Sequence, residues 1–464
     1  MNDGPLILWF RRDLRLSDQS MLAAAVASGR AVVPVFVLDP ETETIGAAAK
    51  WRLGLAVAAF AAALERLGAR LVLRRGSALH VLRSLVAETA ASGVWWSRLY
   101  DPASKARDAG VKTALRAGGI EARSFAGHVL QEPWEVATGQ GGFYRVFTPY
   151  WNALRGRQVG ACLAAPAALR GVEVWPSSDD LPDFGRGMRR GAAVVLPYQR
   201  VGEAAALERL GEFLEERVAL YRERRDFLGE NAGSGLSENL TYGEIGPRQV
   251  WHAGWRALQE GAAGAEAFLK ELAWREFAHH LVFHSPRIVE RNWREEWDGF
   301  AWRGDNDDAE RWRRGMTGEP VVDAAMRQLY VTGVMHNRAR MIVASYLTKH
   351  LLTDWRVGQA WFAECLTDWD AASNAMGWQW VAGSGPDAAP YFRIFNPATQ
   401  ASKFDAEGVY RRRWLGDASP EARRYFDAVP LAWRLDPDAP APAPIISLEA
   451  GRARALAALA QRNA

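Results

Sequence analysis

A chain of 464 residues with 49% hydrophobic and 24% charged side chains has the composition of a soluble globular protein, and is long enough for two or three domains with a large core. No run reaches the roughly 18 apolar residues of a membrane span, and two cysteines, Cys162 and Cys365, offer neither a disulfide framework nor a zinc-ligand pattern. The net charge of +3 does not by itself announce a nucleic-acid partner.

The start, MNDGPLILWFRRDLRL, has only about five apolar residues before its arginines, so no secretory signal is expected and the reducing cytoplasm is the expected location. LILWF (6–10), AVVPVFVLD (31–39), ARLVLRR (69–75) and GVWWSRLY (93–100) read as buried strands. Between them, SMLAAAVASG and KWRLGLAVAAFAAALERLG carry helical spacing and stop at glycine. This alternation predicts a doubly wound, Rossmann-like parallel sheet in an α/β domain over residues 1–133. Neither GxGxxG nor a Walker sequence follows the first strand; FRRDLRLSD stands there instead. Residues 134–200 are rich in Gly, Pro and Ser and read as an interdomain linker with some local helix. From 201 to 464 strand patterns vanish and helical ones follow one another, predicting an all-α domain. The last thirty residues, with DPDAPAPAPI, read as a surface tail.

Tryptophan is the outlier: of 21, 14 lie between Trp251 and Trp433, so the two halves have different tasks. Arginines cluster at 186–190, 222–225, 338–340 and 411–413; each cluster is an ordinary solvated face or, if all share one face, a phosphate footprint. GSGLSENL (233–240) is a glycine-serine loop entering a helix with Ser237 at the N-cap, either an anion cradle or a plain capped start. FLKELAWREF (268–277) sets Glu271, Trp274 and Arg275 close together, with Glu271 and Arg275 spaced for a surface ion pair. MHNRARM (335–341) concentrates the donors His336, Asn337, Arg338 and Arg340. DWDAASNAMGWQW (368–380) adds Asp368, Asp370, Asn374, Trp378 and Trp380, and PYFRIFNP (390–397) sets Arg393 between aromatics. If these segments converge, arginines and carboxylates satisfy one another around a large, flat, polar ligand, with a nucleic-acid surface beside it. There is no HExxH, no His/Cys cluster and no GxSxG elbow, so no metal site is expected. Asp368 and Asp370, on one short loop, do not flank a sugar as glycosidase carboxylates would.

These motifs, with VFTPYW and TGEPVVDAAMRQL, resemble the DNA photolyase/cryptochrome flavoproteins over about 90% of the chain. The resemblance implies FAD held in the helical domain, and most closely a bacterial enzyme that repairs cyclobutane pyrimidine dimers in DNA under blue light. The alternative it leaves is a cryptochrome photoreceptor without repair. It further implies that Tyr221, Ser234, Leu236 and Ser237 hold the FAD phosphates and nearby backbone. Arg340, Asp368 and Asp370 match groups around the flavin ring and ribityl chain, Arg275 is assigned to the same cofactor, and Asn374 matches the amide facing flavin N5. Trp274 and Trp380 match the pair that clasps a flipped-out dimer, with Glu271, Asn337, Arg338, Met341 and Arg393 completing that cavity. Trp378, Trp355 and Trp302 match an electron-transfer chain from inside to outside; Trp369 has no role and is expected in the core. The family's Thr-Ser-x-Leu-Ser reads GSGLS here, without the Thr hydroxyl and without a side chain at 235. KARDAGVK stands where the best-known bacterial branch has acidic antenna contacts. Trp95, Trp96 and Tyr100 either stack on an antenna pterin or pack at strand ends. The expected antenna is 5,10-methenyltetrahydrofolate, with a deazaflavin or none as alternatives. A monomer acting on dimer-containing DNA, with no membrane partner, is expected.

Overall fold

The structure, a computed structural model, describes residues 4–387 and 390–463. The first three residues of the start inspected for a signal, Ala388 and Ala389 of the motif leading into PYFRIFNP, and the last residue lie outside the described residues.

The first body is a parallel sheet of β1 (Leu6–Phe10), β2 (Val32–Leu38), β3 (Val72–Arg75), β4 (Gly93–Ser97) and β5 (Glu121–Phe125), in the order β3-β2-β1-β4-β5. Its helices are α1 (Ser20–Ala27), α2 (Ala47–Glu65), α3 (Ala78–Thr89) and α4 (Pro102–Ala117). The central strand is buried on both faces, which is why it reads as an unbroken apolar run. Leu6, Leu8 and Phe10 face the core shared with α2, and Ile7 and Trp9 face the opposite core, shared with α3 and α4. β5 lies beyond the strands read from the sequence. EARSF buries only Ala122 and Phe125, and it is a strand because it pairs residue by residue with β4 at the sheet edge. By length and composition α2, 19 residues long, could cross a membrane, with mean hydropathy 1.4 over an 18-residue window. Here it is a core helix, with Trp51, Leu53, Val57, Phe60 and Leu64 buried.

The segment after β5 joins both bodies. Its helix α5 (Phe147–Arg155) buries Phe147, Tyr150, Trp151 and Leu154 in the core of the helical body. Further on, the chain returns to the sheet, where Leu169 N–H donates to the Leu67 carbonyl at 2.8 Å. In the helical body, α6 (Glu203–Glu216), α7 (Ser237–Tyr242), α8 (Pro247–Gln259), α9 (Ala265–His284), α10 (Pro320–Thr332), α11 (Asn337–Ser345), α12 (Trp355–Cys365) and α13 (Ala371–Ala382) carry or support the motifs. The chain does not end in a loose tail: α14 (Leu448–Asn463) docks with Ala455 and Ala458 buried, and Gly451 lies against His350.

FRRDLRLSD latches the bodies together. Arg15, buried, donates to the carbonyls of Gly243 and Gly127, both at 3.1 Å, and Glu203 accepts from Leu16 N–H at 2.7 Å. Arg52 of α2 and Glu244 form a fully buried ion pair at 2.7 Å across the same junction. Removing either partner would leave an uncompensated buried charge.

Candidate active site

Helices α7, α9, α11 and α13 surround a cavity of about 560 Å³. Tyr221, Ser234, Leu236, Ser237, Glu271, Trp274 and Arg275 line it on one side. Asn337, Arg340, Met341, Asp368, Asn374, Trp378 and Trp380 line the other. Asp370 lines a smaller chamber of about 220 Å³ that shares many of these walls.

Local sequence explains the placements. Asp370 is the N-cap of α13, accepting from Ser373 N–H at 2.8 Å, so the following turns point Asn374 and Trp378 inward. His336 caps α11 through Nδ1, which accepts from Arg338 N–H at 3.1 Å. Ser237 is the first residue of α7 rather than its N-cap, which is Leu236; Ser234 Oγ accepts from Leu236 N–H at 3.4 Å instead. Gly235 has φ +68°, a left-handed conformation that side chains rarely adopt, and a Cβ there would crowd Arg209. The residue at 235 is therefore explained by backbone shape and by the Arg209 side chain beside it.

The charges form specific pairs. Asp368 Oδ2 accepts from Arg340 at 2.8 Å, and its Oδ1 is buried with no partner among the described residues. Arg340 also donates to the Met335 carbonyl at 2.9 Å. Burial alone would raise the Asp370 carboxyl, but His279, Arg12, Arg275 and the Ser373 N–H outweigh it and hold it down at about 2. Burial holds His279 itself down at about 4, so at neutral pH it is uncharged and the two arginines supply the positive field. The Asn374 amide Nδ2 donates to the Asp370 carbonyl at 3.0 Å, which leaves its oxygen as the polar end available to the cavity.

Several expectations need amending. Glu271 does not pair with Arg275; its carboxylate accepts from Arg225, while Arg275 binds Glu276 at 3.0 Å. Arg338 is not on the cavity wall: it pairs with Asp226 at 2.6 Å and lies over Phe404. Arg393 sits in a small recess beside Trp380, its guanidinium 5.6 Å from the ring centroid. Trp355 is fully buried and Trp302 half-buried, and neither lines the cavity. The arginine clusters are not one footprint, because Arg190 is buried against the carbonyls of Leu329, Tyr330 and Cys365 and Arg411 pairs with Asp405. Trp95 and Trp96 are core residues on opposite faces of β4. Tyr100 instead lines a second cavity, also about 560 Å³, between the bodies, and Trp369, packed at the edge of the helical core as expected, is also on that wall. Sequence reading gave no role to Arg225, Phe147 and Ser373, although each lies in a segment it singled out: the 222–225 cluster, VFTPYW and DWDAASNAMGWQW.

A cavity with a glycine-serine loop on one side, an arginine–carboxylate pair with a spare buried oxygen, and tryptophans at two walls suits a large cofactor having anionic and flat polar parts. Fold and site thus define a two-body cofactor-binding protein, an α/β domain beside a helical domain that encloses the cavity. Residues 6–168 match the DNA photolyase family, and residues 268–461 match the FAD binding domain of DNA photolyase. The chain is 44% identical to the deoxyribodipyrimidine photo-lyase of Agrobacterium fabrum over 479 residues, 99% of this chain and 98% of that one. The solved class III photolyase of Agrobacterium tumefaciens is similar with TM-score 0.90 at 43% identity, covering 100% of this chain and 98% of that chain. A Synechocystis cryptochrome structure is similar with TM-score 0.85 at 27% identity, covering 98% and 99%. This chain belongs to the DNA photolyase family, and its cofactor is FAD.

Proposed function

We propose that the protein repairs cyclobutane pyrimidine dimers in DNA with light. The observation that carries this reading is the joint presence of Glu271, Trp274, Asn337, Met341 and Trp380 on one wall set of the FAD cavity. A light receptor without repair has no need of such a dimer-shaped set. Held in this cavity and reduced, FAD would supply light-driven electron donation to the dimer, with no net redox change.

The chain supplies the rest. A dimer leaves the stack more cheaply than an intact base pair, and stacking on Trp274 and Trp380 returns roughly 1–3 kcal/mol per base. Glu271, with one oxygen engaged by Arg225, offers the other to the polar edge of the dimer. Asn337 adds an amide able to donate or accept. Asp368 and Arg340 would anchor polar groups of the cofactor, the loop 233–237 would take its phosphates, and Asn374 would offer its amide to the ring system. Trp378, Trp355 and Trp302 deliver reducing electrons from outside. Contacts to DNA phosphates come from exposed arginines and are sensitive to salt. The second cavity, with Tyr100, Trp369 and Arg12 on its walls, takes an antenna pterin of the methenyltetrahydrofolate kind. A purified protein with flavin absorption alone would speak against that antenna.

The test is an oligothymidine carrying cyclobutane dimers, mixed with the reduced protein and held in blue light or darkness. Recovery of thymine absorbance only in the light is expected. No recovery, from a protein that retains reduced flavin and binds the oligomer, would overturn repair in favour of light signalling.

A further inference from the structure

The loop 233–237 is held from behind by a side chain that does not line the cavity. Arg209 of α6 is buried, and it borders neither the main cavity nor the smaller chamber. Its Nη1 donates to the Gly235 carbonyl and, at 3.0 Å, to Asn239 Oδ1. A trans peptide points its carbonyl and its N–H in opposite directions. The Gly235 carbonyl faces Arg209, so the Leu236 N–H faces the other side, where it donates to Ser234 Oγ on the cavity wall. Gly235, at φ +68°, is the residue type freest to flip that peptide. A flip would turn an oxygen toward the cavity and leave a buried guanidinium N–H without its acceptor. The Asn239 amide is fixed in its turn, because Nδ2 donates to Glu244 Oε2 at 2.6 Å and to the Arg200 carbonyl at 3.0 Å. Turned over, it would set N–H against guanidinium and oxygen against carboxylate. Glu244 is the partner of Arg52 in the ion pair that joins the two bodies, and Asn239, Glu244 and Arg52 are all fully buried.

We infer that Arg209 is a positioning residue for the cofactor. It holds the Gly235 carbonyl away from the cavity so that the loop meets the FAD phosphates with N–H groups, and Arg52 of the α/β body holds Arg209 in place through Glu244 and Asn239. The inference rests on the reading above that this loop takes the phosphates. A carbonyl turned inward would set the negative end of a peptide dipole against an anion; the held orientation sets the positive end there. Glu238 Oε2 lies 3.7 Å from the Arg209 guanidinium and balances its charge, so the contribution of Arg209 is to direct the peptide. Each link of the relay joins buried groups. Weakening one link therefore leaves the next group unpaired instead of hydrated, and the effect reaches the loop. FAD affinity is in this way tied to a residue of the other body that does not line the cavity.

The experiment is flavin binding by the full chain, stripped of flavin and dialysed to equilibrium against FAD or against riboflavin, which carries the ring system and no phosphate. Urea unfolding of the flavin-free proteins controls for the fold. Arg209→Met is expected to raise the Kd for FAD about tenfold, the loss of one hydrogen bond to a charged group, and to leave the Kd for riboflavin unchanged. Gly235→Ala strains the same peptide without removing a charge and is expected to show the same selectivity, which keeps the test open if Arg209→Met does not fold. Arg52→Lys keeps its charge but gives up the two-point grip on Glu244. It is expected to weaken FAD and spare riboflavin, and to add little when combined with Arg209→Met. A folded Arg209→Met, or a Gly235→Ala, with the wild-type Kd for FAD overturns the role of Arg209. An Arg52→Lys with the wild-type Kd for FAD, or with an effect that adds in full to that of Arg209→Met, overturns the relay. If Arg209→Met weakens FAD and riboflavin alike, the loop does not hold the phosphates, and that reading is the one that fails.

Discussion

Phe147 lies face to face on Trp274, with ring centroids 3.6 Å apart and planes 6° apart. Phe147 opens a helix in the segment between the two bodies, so a wall of the cavity is buttressed from outside the helical body's own run of sequence. Such a pair contributes about 0.5–1.5 kcal/mol beyond its buried area. Phe147→Ala is therefore expected to let Trp274 turn and to raise the Kd for dimer-containing oligothymidine roughly 3- to 10-fold. Flavin content should not change, because Phe147 does not line the cavity. Equilibrium binding beside flavin absorbance checks it, and an unchanged Kd rejects the buttress.

Asp368 and Arg340 make the second prediction. Asp368→Ala leaves Arg340 with the Met335 carbonyl as its remaining partner. Arg340 is partly open to the cavity, so solvent screens some of the loss and the cost is about 2 kcal/mol rather than the full penalty of an enclosed charge. The flavin-free variant is expected to unfold at lower denaturant, and the reconstituted one to lose most of its FAD on gel filtration. Full FAD retention would show that Asp368 is no anchor.

Much of this was legible in the sequence because the physics is local. β1 and β2, buried on both sides, read as apolar runs, and α2 announces itself by spacing and a glycine stop. β5 is not legible, since EARSF is a strand by pairing alone. The helix at 448–463 is not either: its buried face is Ala455 and Ala458, too small to raise an apolar stripe, and a proline-rich run precedes it. The cavity residues come from motifs whose helix faces fix their direction. Their partners do not. The contacts of Glu271 with Arg225 and of Trp274 with Phe147 bring together segments far apart in sequence, and i,i+4 spacing wrongly favoured Arg275 as the partner of Glu271.

Gly358 offers a test of how closely Trp378 is packed. In an exposed helix, Gly→Ala would stabilise by about 1 kcal/mol. Here the added methyl would overlap the Trp378 ring and crowd Leu347, and overpacking costs typically 1–3 kcal/mol. The steric effect wins, so Gly358→Ala is expected to lower stability by about 1 kcal/mol and to slow flavin photoreduction through the displaced indole. Thermal unfolding and the photoreduction rate under thiol check it. A stabilised variant with the wild-type rate would mean that the ring has room to move.

His279 makes acid stability testable. Its Nε2 lies 3.7 Å from Asp370 Oδ2, His128 meets it edge-on at 4.8 Å, and Arg12 and Arg275 add positive charge nearby. Burial is the largest influence and lowers His279 to about 4; Asp370 opposes it, and the arginines reinforce it. In the unfolded chain the same group titrates near 6.5. Between these values the unfolded chain binds a proton that the native state refuses, so the stability held above pH 6.5 is lost as pH falls toward 4. The full shift corresponds to roughly 3 kcal/mol. His279→Gln has no proton to bind, so its stability relative to wild type should rise by roughly 2–3 kcal/mol between pH 6.5 and 4 and stay level above pH 7. Urea unfolding of both proteins at matched pH measures the difference, which also cancels the shared contribution of the other buried histidines. A difference that does not change with pH would mean that burial does not depress His279, which then takes up its proton as readily in the native state as in the unfolded chain.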